Sequence, residues 1–377
     1  MATMEIRLIA SGEEELCNEF YNRINHKRRR IDQWKWEFAE NTYSTQTGKC
    51  PFVVVVDNGK IIGTQAFIPI RMIDRGGIFW TAKSEETLVD PNYRGKQLFE
   101  KMYRLLFDYA QEHKFRYIWG FTPAVKAFDR LAFAVPGKTR QLFVPFSVRC
   151  VSALLDKKQS GSDAKQTQSL RGLVAKSLCL IARGVSQIQL STTRRPRITD
   201  VRIETMTACD EQTGEVCKRF IEEWGGATIY RDKEYLSWRI FNNPYNRCTV
   251  KGVYRDAQLL GWIAYTIGDD SMGYVVDIMV APPAGVACKV EDIITLLLLE
   301  AVNGTRKMGA TGIRGWQVNN HPFDLLVAKA SRRLGFFAIP KGHAVVIYEF
   351  DAQKRGEILN RFDDWYVTRI FTEGVFG

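Results

Sequence analysis

The chain has 377 residues, of which 45% are hydrophobic and 25% are charged, and its formal net charge is +11. These proportions are typical of folded globular proteins and exclude a disordered, collagen-like or disulfide-scaffold chain. At about 100 to 200 residues per domain, the length predicts two domains. We find neither the ~18 uninterrupted apolar residues of a membrane-spanning helix nor a secretory signal, and therefore expect a cytoplasmic protein.

Cysteine and histidine positions argue against a metal site. The eight cysteines and four histidines are scattered through the chain without short paired spacing. We therefore expect reduced thiols and no bound metal. The positive charge favours an anionic partner, which is a phosphate group, a nucleic acid or a membrane surface. The run Lys27-Arg28-Arg29-Arg30 fits a nucleic-acid patch or a solvated helix face, and we expect no specific nucleic-acid binding.

In chain order, the first half predicts a series of alternating strands and helices. The tryptophan-rich segment around Trp36 lies in an early helix, and Asn58-Gly59 is a strong signal for a hairpin turn. Apolar residues at helical spacing then predict an amphipathic helix. The expected elements are strands at 52–56 and 60–68, a strand ending at Val89, a helix from 96 to 113, a strand at 117–121 and a short helix ending at Phe133.

The middle of the chain predicts a connector followed by a helix. Residues 156–169 are rich in Ser, Gln and Lys, which is typical of a polar linker. Residues 170–190 then alternate apolar and basic positions with helical period. Such a helix is suited either to peripheral contact with an anionic membrane or to packing on one of the domains.

The second half repeats the pattern of the first. Trp36-Glu37-Phe38 resembles Trp238-Arg239-Ile240, and the segment from Glu86 to Pro91 resembles the segment from Asp277 to Pro282. Four such matches occur in the same order at an offset of about 200 residues, which indicates a tandem duplication. The second copy is expected to have a strand at 274–280, a helix at 290–303 and a strand at 312–316.

The segment from Val89 to Leu98 carries the clearest chemical signal. A strand ends before Pro91, a basic loop with Arg94, Gly95 and Lys96 follows, and a helix begins immediately. Such a loop directs backbone N–H groups and the positive end of the helix toward one point, which suits a phosphate group. It is not a Walker loop, because the second glycine and the Lys-Ser/Thr pair are missing. A surface turn with incidental basic residues is the alternative interpretation.

This segment resembles the pyrophosphate-binding signature of the GNAT acyltransferase superfamily. The resemblance covers about 52–133 and 250–336, and is strongest to tandem-GNAT proteins among bacterial polysaccharide-biosynthesis acyltransferases and Fem-type transferases. It implies an α/β protein with two GNAT-like domains, each a mixed, mostly antiparallel sheet flanked by helices. The expected divisions are 1–150, a connector with the basic helix at 151–200, a degenerate second domain at 201–350 and a tail at 351–377.

The resemblance also implies a ligand and the residues that bind it. Acyl-CoA is the expected co-substrate, with its pyrophosphate on Arg94, Gly95, Lys96, Gln97 and Leu98. Its pantetheine arm is expected to pair with the backbone of Leu88 and Val89, where the sheet splays.

Three positions depart from the family pattern. The last loop glycine is replaced by Gln97, and the tyrosine often assigned as general acid is replaced by Phe128. In the second copy, Pro282 is followed by Pro283-Ala284-Gly285 without an arginine. That copy is therefore expected to be a structural or acceptor-binding partner without its own CoA.

Two adjacent glutamates are candidates for the general base that an amine acceptor requires. Glu86 lies five residues before Pro91, where GNAT enzymes often place an acidic base, and Asp277 has the same spacing in the second copy. Strand alternation puts Glu85 and Glu86 on opposite faces, so only one faces the acceptor. Salt bridges at the start of the strand are the alternative role. Tyr93 and Tyr103 are possible acids that the sequence does not position.

These observations predict an N-acyltransferase that moves an acetyl group from acetyl-CoA to an amine. The net charge and the expected pair of domains favour an anionic acceptor, such as a nucleotide-linked amino sugar, in a cleft. Two alternatives stay open. One is Fem-type aminoacyl transfer from charged tRNA, and the other is a catalytically inactive pair of domains that binds acyl-CoA or a partner protein.

Overall fold

The fold consists of two compact units, seen in a computed structural model that describes residues 4–147, 167–286, 288–339 and 342–372. Unit 1 is drawn from Met1–Lys138, Gly226–Tyr245 and His343–Trp365. Unit 2 is drawn from Thr139–Gly225, Asn246–Gly342 and Tyr366–Gly377. Each unit is built on one mixed, mostly antiparallel sheet flanked by helices, which confirms the predicted α/β class with two such sheets. Within the described ranges, no helix combines the length and hydropathy needed to cross a bilayer.

The sheet of unit 1 has eight described strands, in the order β1-β2-β3-β4-β5-β15-β6, with β9 added beside β3. Only β4 and β5 run parallel. The strands are β1 (Glu5–Leu8), β2 (Phe52–Asp57), β3 (Lys60–Asp74), β4 (Gly77–Val89), β5 (Tyr117–Thr122), β6 (Ala134–Lys138), β9 (Thr228–Ile229) and β15 (Ala344–Glu349).

The helices of unit 1 include one long amphipathic helix, α4, which agrees with the helix predicted at 96–113. Its apolar side, including Met102, Tyr103 and Leu106, is buried in the main core of the unit with Phe67 and Phe133. The α-helices are α1 (Glu14–Asn25), α2 (Ile31–Trp34), α3 (Thr42–Thr47), α4 (Leu98–Glu112), α5 (Val125–Asp129), α8 (Lys233–Leu236) and α11 (Ile358–Arg361); π-helices span Lys35–Ala39 and Ser237–Phe241.

The turn between β2 and β3 confirms the predicted hairpin. Asn58 and Gly59 both have positive φ, at 50° and 73°. A two-residue turn with positive φ at both positions matches the twist of the flanking strands, and Asn-Gly is the pair that adopts it most readily. The local sequence therefore sets the register of this strand pair.

The repeated tryptophans lie together in the core of unit 1. Trp36 and Trp238 stack with ring centroids 5.0 Å apart. The indole Nε1 of Trp36 donates to the carbonyl oxygen of Trp238 at 3.0 Å, and Nε1 of Trp238 donates to that of Trp36 at 2.8 Å. Both side chains are buried, as is Trp34, so these residues are packing groups rather than an exposed platform.

The sheet of unit 2 has seven described strands, in the order β14-β7-β13-β12-β11-β10-β8, again with a single parallel pair, β12 and β13. The strands are β7 (Arg140–Pro145), β8 (Arg202–Met206), β10 (Thr249–Arg255), β11 (Gln258–Ile267), β12 (Gly273–Val280), β13 (Gly312–Gln317) and β14 (Phe337–Ile339); the α-helices are α6 (Thr167–Thr192), α7 (Glu211–Trp224), α9 (Val290–Lys307) and α10 (Pro322–Arg333).

Each unit contains a strand from the opposite half of the chain. β6 ends in unit 1, whereas β7, which follows it, pairs with β13 and β14 in unit 2. Conversely, β15 follows β14 but pairs with β5 and β6 in unit 1. The compact units therefore differ from the contiguous ranges 1–150 and 201–350 expected from the repeat, because strand pairing rather than chain order decides which unit a strand joins.

The predicted connector and the predicted helix after it had different outcomes. Most of the connector falls on residues 148–166, which lie outside the described residues. Its last three residues, Thr167–Ser169, are instead the first turn of α6, so the helix expected at 170–190 is present but longer.

Candidate active site

A notch opens in the sheet of unit 1 where its two parallel strands separate. β4 and β5 pair only at Ala82 with Ile118 and at Lys83 with Trp119. Each strand continues along its other neighbour, β4 to Val89 beside β3, and β5 to Thr122 beside β15. The strands therefore stay ordered while the space between them widens. This end of β4 is only partly buried at Thr87, Leu88 and Val89, which leaves backbone there for an extended ligand to pair with.

The loop from Asp90 to Gln97 joins β4 to the start of α4. Asp90 accepts a hydrogen bond from the backbone N–H of Asn92 at 3.0 Å. It also forms an ion pair with Arg23 at 2.9 Å. The hydrogen bond from Arg23 lowers the pKa of the Asp90 carboxyl. Pro91 opens a short 3₁₀ turn, Pro91–Tyr93. Asp90 thus anchors this loop through one local hydrogen bond and one ion pair to α1, and the tip of the loop is exposed to solvent.

The tip of this loop has the features of an anion site. Arg94, Gly95, Lys96 and Gln97 are all exposed, and α4 begins at the buried Leu98. The first N–H groups of a helix have no partner within the helix and attract anions. Two nearby cationic side chains strengthen that attraction. These features suit a phosphate or pyrophosphate group, and the predicted binding site at this tip stays a prediction.

Two loop residues adopt left-handed backbone conformations. Gly95 has φ of 82°, and Gln97, the residue that caps α4, has φ of 56°. A Cβ atom added to Gly95 would meet no atom within 4 Å, so conformation rather than lack of space explains the glycine. A non-glycine residue in this region costs about 1 kcal/mol or more. This cost explains why a glycine is favourable at the position that Gln97 occupies in this chain.

Glu86 is enclosed in a buried ion pair. Its Oε1 accepts from Nη2 of Arg29 at 2.9 Å, and its Oε2 accepts from Nη1 of the same guanidinium. The Glu86 side chain is 2% exposed and that of Arg29 is 5% exposed. The same guanidinium lies 3.8 Å from Glu37 and 3.8 Å from the ring centre of Tyr21. Of the basic run that starts at Lys27, Arg29 is thus buried rather than on a solvated face.

Glu85 has a different environment from its neighbour. It forms an ion pair with the buried Lys83 on the same strand, and its own side chain is 14% exposed. The strand has a bulge here, because Ala66 pairs with Glu85 and Thr64 with Leu88, and Glu86 has φ of 52°. The bulge interrupts the regular alternation from which opposite faces were predicted. Each glutamate instead joins its own ionic cluster.

A buried polar network lies beside the two glutamates. The amide Nε2 of Gln65 donates to the Glu85 carbonyl at 3.0 Å and to Ser84 Oγ at 3.2 Å. The Ser84 hydroxyl is hydrogen bonded to the phenol of Tyr103, and Thr87 donates to Gln65 Oε1. Burial raises the pKa of Tyr103, while its hydrogen bonds act in the opposite direction. The phenol is therefore protonated at neutral pH.

Of the two tyrosines considered as acids, only Tyr103 belongs to this network. Tyr93 instead donates from its hydroxyl to Asp57 Oδ2 at 2.7 Å. Sequence reasoning missed Ser84, Gln65 and Thr87 because single polar residues in a strand give no signal of a shared network. The alternating positions of Lys83 and Glu85 indicate a strand, but they do not indicate that Ser84 between them takes part in a network.

Unit 2 has a corresponding notch, but the chain itself fills it. β12 and β13 pair only at Gly273 with Ile313 and at Tyr274 with Arg314 before they separate. The C-terminal segment from Tyr366 to Phe371, called the tail segment below, packs there. Its Arg369 lies over the rings of Tyr274, on β12, and Trp316, on β13, at 4.6 and 4.9 Å from their centres.

Hydrogen bonds fasten the tail segment to β12. The Tyr366 hydroxyl donates to the Ile278 carbonyl, and Thr368 Oγ1 donates to Asp277 Oδ1 at 2.6 Å. The indole of Trp262 donates to Asp277 Oδ2 at 3.1 Å. All eight residues of β12 are buried. The acidic residue that aligns with Glu86 therefore holds the tail segment in place.

Comparisons with known proteins give one family match and several similar folds. Residues 5–133 match the family described as "Acetyltransferase (GNAT) domain". No curated protein sequence matches the chain at a significant level.

Three solved structures are similar in fold. A conserved protein from Enterococcus faecalis, described as a probable N-acyltransferase, has a TM-score of 0.61 at 8% identity, covering 94% of this chain and 74% of that one. A GCN5-related N-acetyltransferase from Anabaena variabilis has 0.59 at 10%, covering 92% and 72%. One from Kribbella flavida has 0.58 at 12%, covering 93% and 72%.

Proposed function

We propose that the chain is an N-acyltransferase that binds acyl-CoA in the notch of unit 1, on the premise that residues 5–133 match the family described as an acetyltransferase (GNAT) domain. One observation carries the proposal: β4 and β5 separate directly beside the exposed basic loop at the start of α4. An extended thiol-bearing arm and a pyrophosphate group need these two features next to each other.

Each part of the site would contact a different part of the co-substrate. Arg94 and Lys96 supply charge to the pyrophosphate, and the N–H groups of Gly95, Gln97 and Leu98 donate to its oxygens. The partly exposed backbone of Leu88 and Val89 pairs with the pantetheine arm. The positive φ values of Gly95 and Gln97 support this assignment, because they turn successive N–H groups toward the loop tip.

Acyl transfer to an amine requires a proton acceptor, and we assign that role to Glu85 rather than Glu86. Both oxygens of Glu86 accept hydrogen bonds from Arg29 in a buried pair, so its lone pairs are engaged. Glu85 is the more exposed of the two carboxylates and follows Ser84, where the strands separate.

The leaving thiolate requires a proton donor, and we assign that role to Ser84 with Tyr103 behind it. The Ser84 hydroxyl is partly exposed and is hydrogen bonded to the buried phenol. A protonated phenol can pass a proton through the serine hydroxyl to the sulfur. This pair would replace the tyrosine whose position is taken here by Phe128.

The test compares matched substitutions at the two glutamates. Glu85→Gln should lower kcat by roughly 10²- to 10⁴-fold without changing CoA affinity, because a general base contributes that much. Glu86→Gln should lower the midpoint of thermal unfolding more than Glu85→Gln does, and retain more turnover. A stable, inactive Glu86→Gln beside an active Glu85→Gln would reverse the assignment.

We propose acetyl as the acyl group and an anionic amine, such as a nucleotide-linked amino sugar of polysaccharide biosynthesis, as the acceptor. The net charge of +11 supports this choice. Assays with the nucleotide-linked sugar and the free sugar, each at low and high salt, test it. A salt-sensitive preference for the nucleotide form is expected, since salt screens exposed charges. Equal rates would contradict it.

A second candidate is an acyl-CoA-binding protein without turnover. The ion pairs of both Glu85 and Glu86 favour it, because each carboxylate already has a cationic partner. This candidate predicts CoA binding without thioester turnover across a panel of amines. Fem-type transfer from charged tRNA predicts no CoA binding at all.

A further inference from the structure

The outer face of α6, in unit 2, exposes a cluster of large aliphatic side chains. Leu180 is 49% exposed, Ile181 63%, Val185 51% and Ile188 63%. At 100° per residue these four positions fall within an arc of about 140° and extend over about 12 Å of helix. Only six other large hydrophobic residues are exposed in the described part of the chain, and they are dispersed over other elements. We call the four residues the α6 patch.

The opposite face of α6 is fixed to the rest of unit 2. Ser186 is 1% exposed, and its hydroxyl donates to the Gly335 carbonyl at 2.6 Å. A Cβ atom on Gly335 would lie 2.7 Å from Ser186 Cα, so the helix packs closely there. At the edge of the α6 patch, beside Leu180 on the helix, Gln187 donates to the Pro145 carbonyl at 3.2 Å and accepts from Arg306 at 2.6 Å. The helix thus already has a packed side, and the α6 patch is not that side.

The sequence around the α6 patch carries cations and no carboxylate. From Thr167 to Thr199 there are six basic residues and no Asp or Glu. Arg194, Arg195 and Arg197 follow the helix directly and are mainly exposed. Arg195 also reaches Glu300 at 3.2 Å, which places at least one of them beside α9. An apolar face next to exposed cations is the composition of a helix that lies in a membrane interface.

We propose that the α6 patch and the three arginines after it dock on the surface of an anionic lipid bilayer. The apolar side chains would enter the boundary between headgroups and acyl chains, and the arginines would contact the lipid phosphates. A second copy of this chain would bring another cationic segment against the first and is disfavoured by repulsion. A nucleic acid would use the arginines but not the aliphatic side chains.

Vesicle co-sedimentation of the full chain tests the proposal. The probes are phosphatidylcholine vesicles with and without about a third of phosphatidylglycerol. Binding is expected only to the anionic vesicles and should weaken as salt is raised. The double variant Ile181→Asp/Ile188→Asp should abolish it. Leu325→Asp is the matched control, since Leu325 is 42% exposed on α10 of the same unit, and should bind as the unsubstituted protein does.

A second variant separates the charge contribution. Replacing Arg194, Arg195 and Arg197 with serine should lower the partition coefficient on the order of 100-fold, at about 1 kcal/mol per cation. Circular dichroism on every variant checks that the fold is kept.

Three outcomes would overturn the proposal. The first is equal binding to neutral and anionic vesicles, or no binding to either. The second is undiminished binding of the Ile181→Asp/Ile188→Asp variant. The third is dimerisation in sedimentation equilibrium that the same double variant removes, which would assign the α6 patch to a second copy. None of these outcomes depends on acyltransferase activity.

Discussion

The notches of unit 1 and unit 2 form in the same way, but one is open and the other is filled by the chain. In both, two parallel strands pair at two positions and then separate. In unit 1 the separating end of β4 is partly exposed beside a basic loop. In unit 2 the tail segment fills the gap, and β12 is wholly buried. The shared fold thus provides a gap between strands, and what lies in that gap decides whether it can bind a ligand.

The acidic residue common to the two notches is buried and hydrogen bonded to side-chain donors in both. Glu86 holds Arg29, and Asp277 accepts from Thr368 and Trp262. In each unit, the repeated acidic residue therefore connects the central strand to a distant segment of the chain. That segment carries Arg29 in unit 1 and Thr368 in unit 2. We propose Glu85 rather than Glu86 as the base, and the aligned position of the second copy is Val276.

The largest expected effect on stability is at the ion pair of unit 1. Arg29→Met leaves the buried Glu86 carboxylate without its guanidinium and should lower the free energy of unfolding by about 3 to 5 kcal/mol. Urea unfolding followed by circular dichroism measures the change. Arg28→Met is the matched control, because Arg28 is exposed and should change stability little. A small effect of Arg29→Met would mean that Glu86 is hydrated and available as a base.

A smaller effect is expected at the tail segment of unit 2. Thr368→Val removes the hydroxyl that donates to Asp277 and should cost about 1 to 3 kcal/mol. Thr372→Val, which removes a hydrogen bond to the Arg369 carbonyl three residues earlier at a partly exposed position, should cost less. Thermal unfolding compares the two. If Thr368→Val were neutral, the tail segment would contribute little to closing this notch.

The smallest expected effect is at the helix start in unit 1. Gln97→Gly relieves a left-handed conformation at φ of 56° and should raise the free energy of unfolding by a few tenths to about 1 kcal/mol, after the entropy that glycine adds to the unfolded chain. CoA affinity should be equal or slightly higher. A loss of stability would show that the Gln97 side chain makes a contribution larger than its backbone strain.

The local sequence predicted what short-range physics controls. Turn conformation predicts the hairpin at Asn58-Gly59, and apolar periodicity predicts the helix α4. The proline at the end of β4 predicts the loop that precedes α4. The Glu86–Arg29 pair could not be predicted, because 57 residues separate the partners and nothing in the sequence distinguishes Arg29 from the three basic residues beside it. The bulge at Glu86 likewise depends on pairing with β3.

The sequence also did not predict that the tail segment fills the notch of unit 2. Thr368 and Asp277 are 91 residues apart, and the tail has no pattern that marks a contact with β12. The missing arginine after Pro282 is the local sign from which we predict that this copy does not bind CoA. The strand exchange between units is also a long-range property, since each exchanged strand is a short apolar run that would fit either sheet.

Calorimetric titration of the full chain with CoA tests the central claim, that the notch of unit 1 is the single CoA site. We expect one site per chain. Arg94→Glu should weaken it by at least about 100-fold, because reversing the charge turns a contact of roughly 1.5 to 3 kcal/mol into repulsion. Arg75→Glu, an exposed arginine in the turn at the other end of β4, should leave binding unchanged. Two sites per chain, or undiminished binding by Arg94→Glu, would contradict the account.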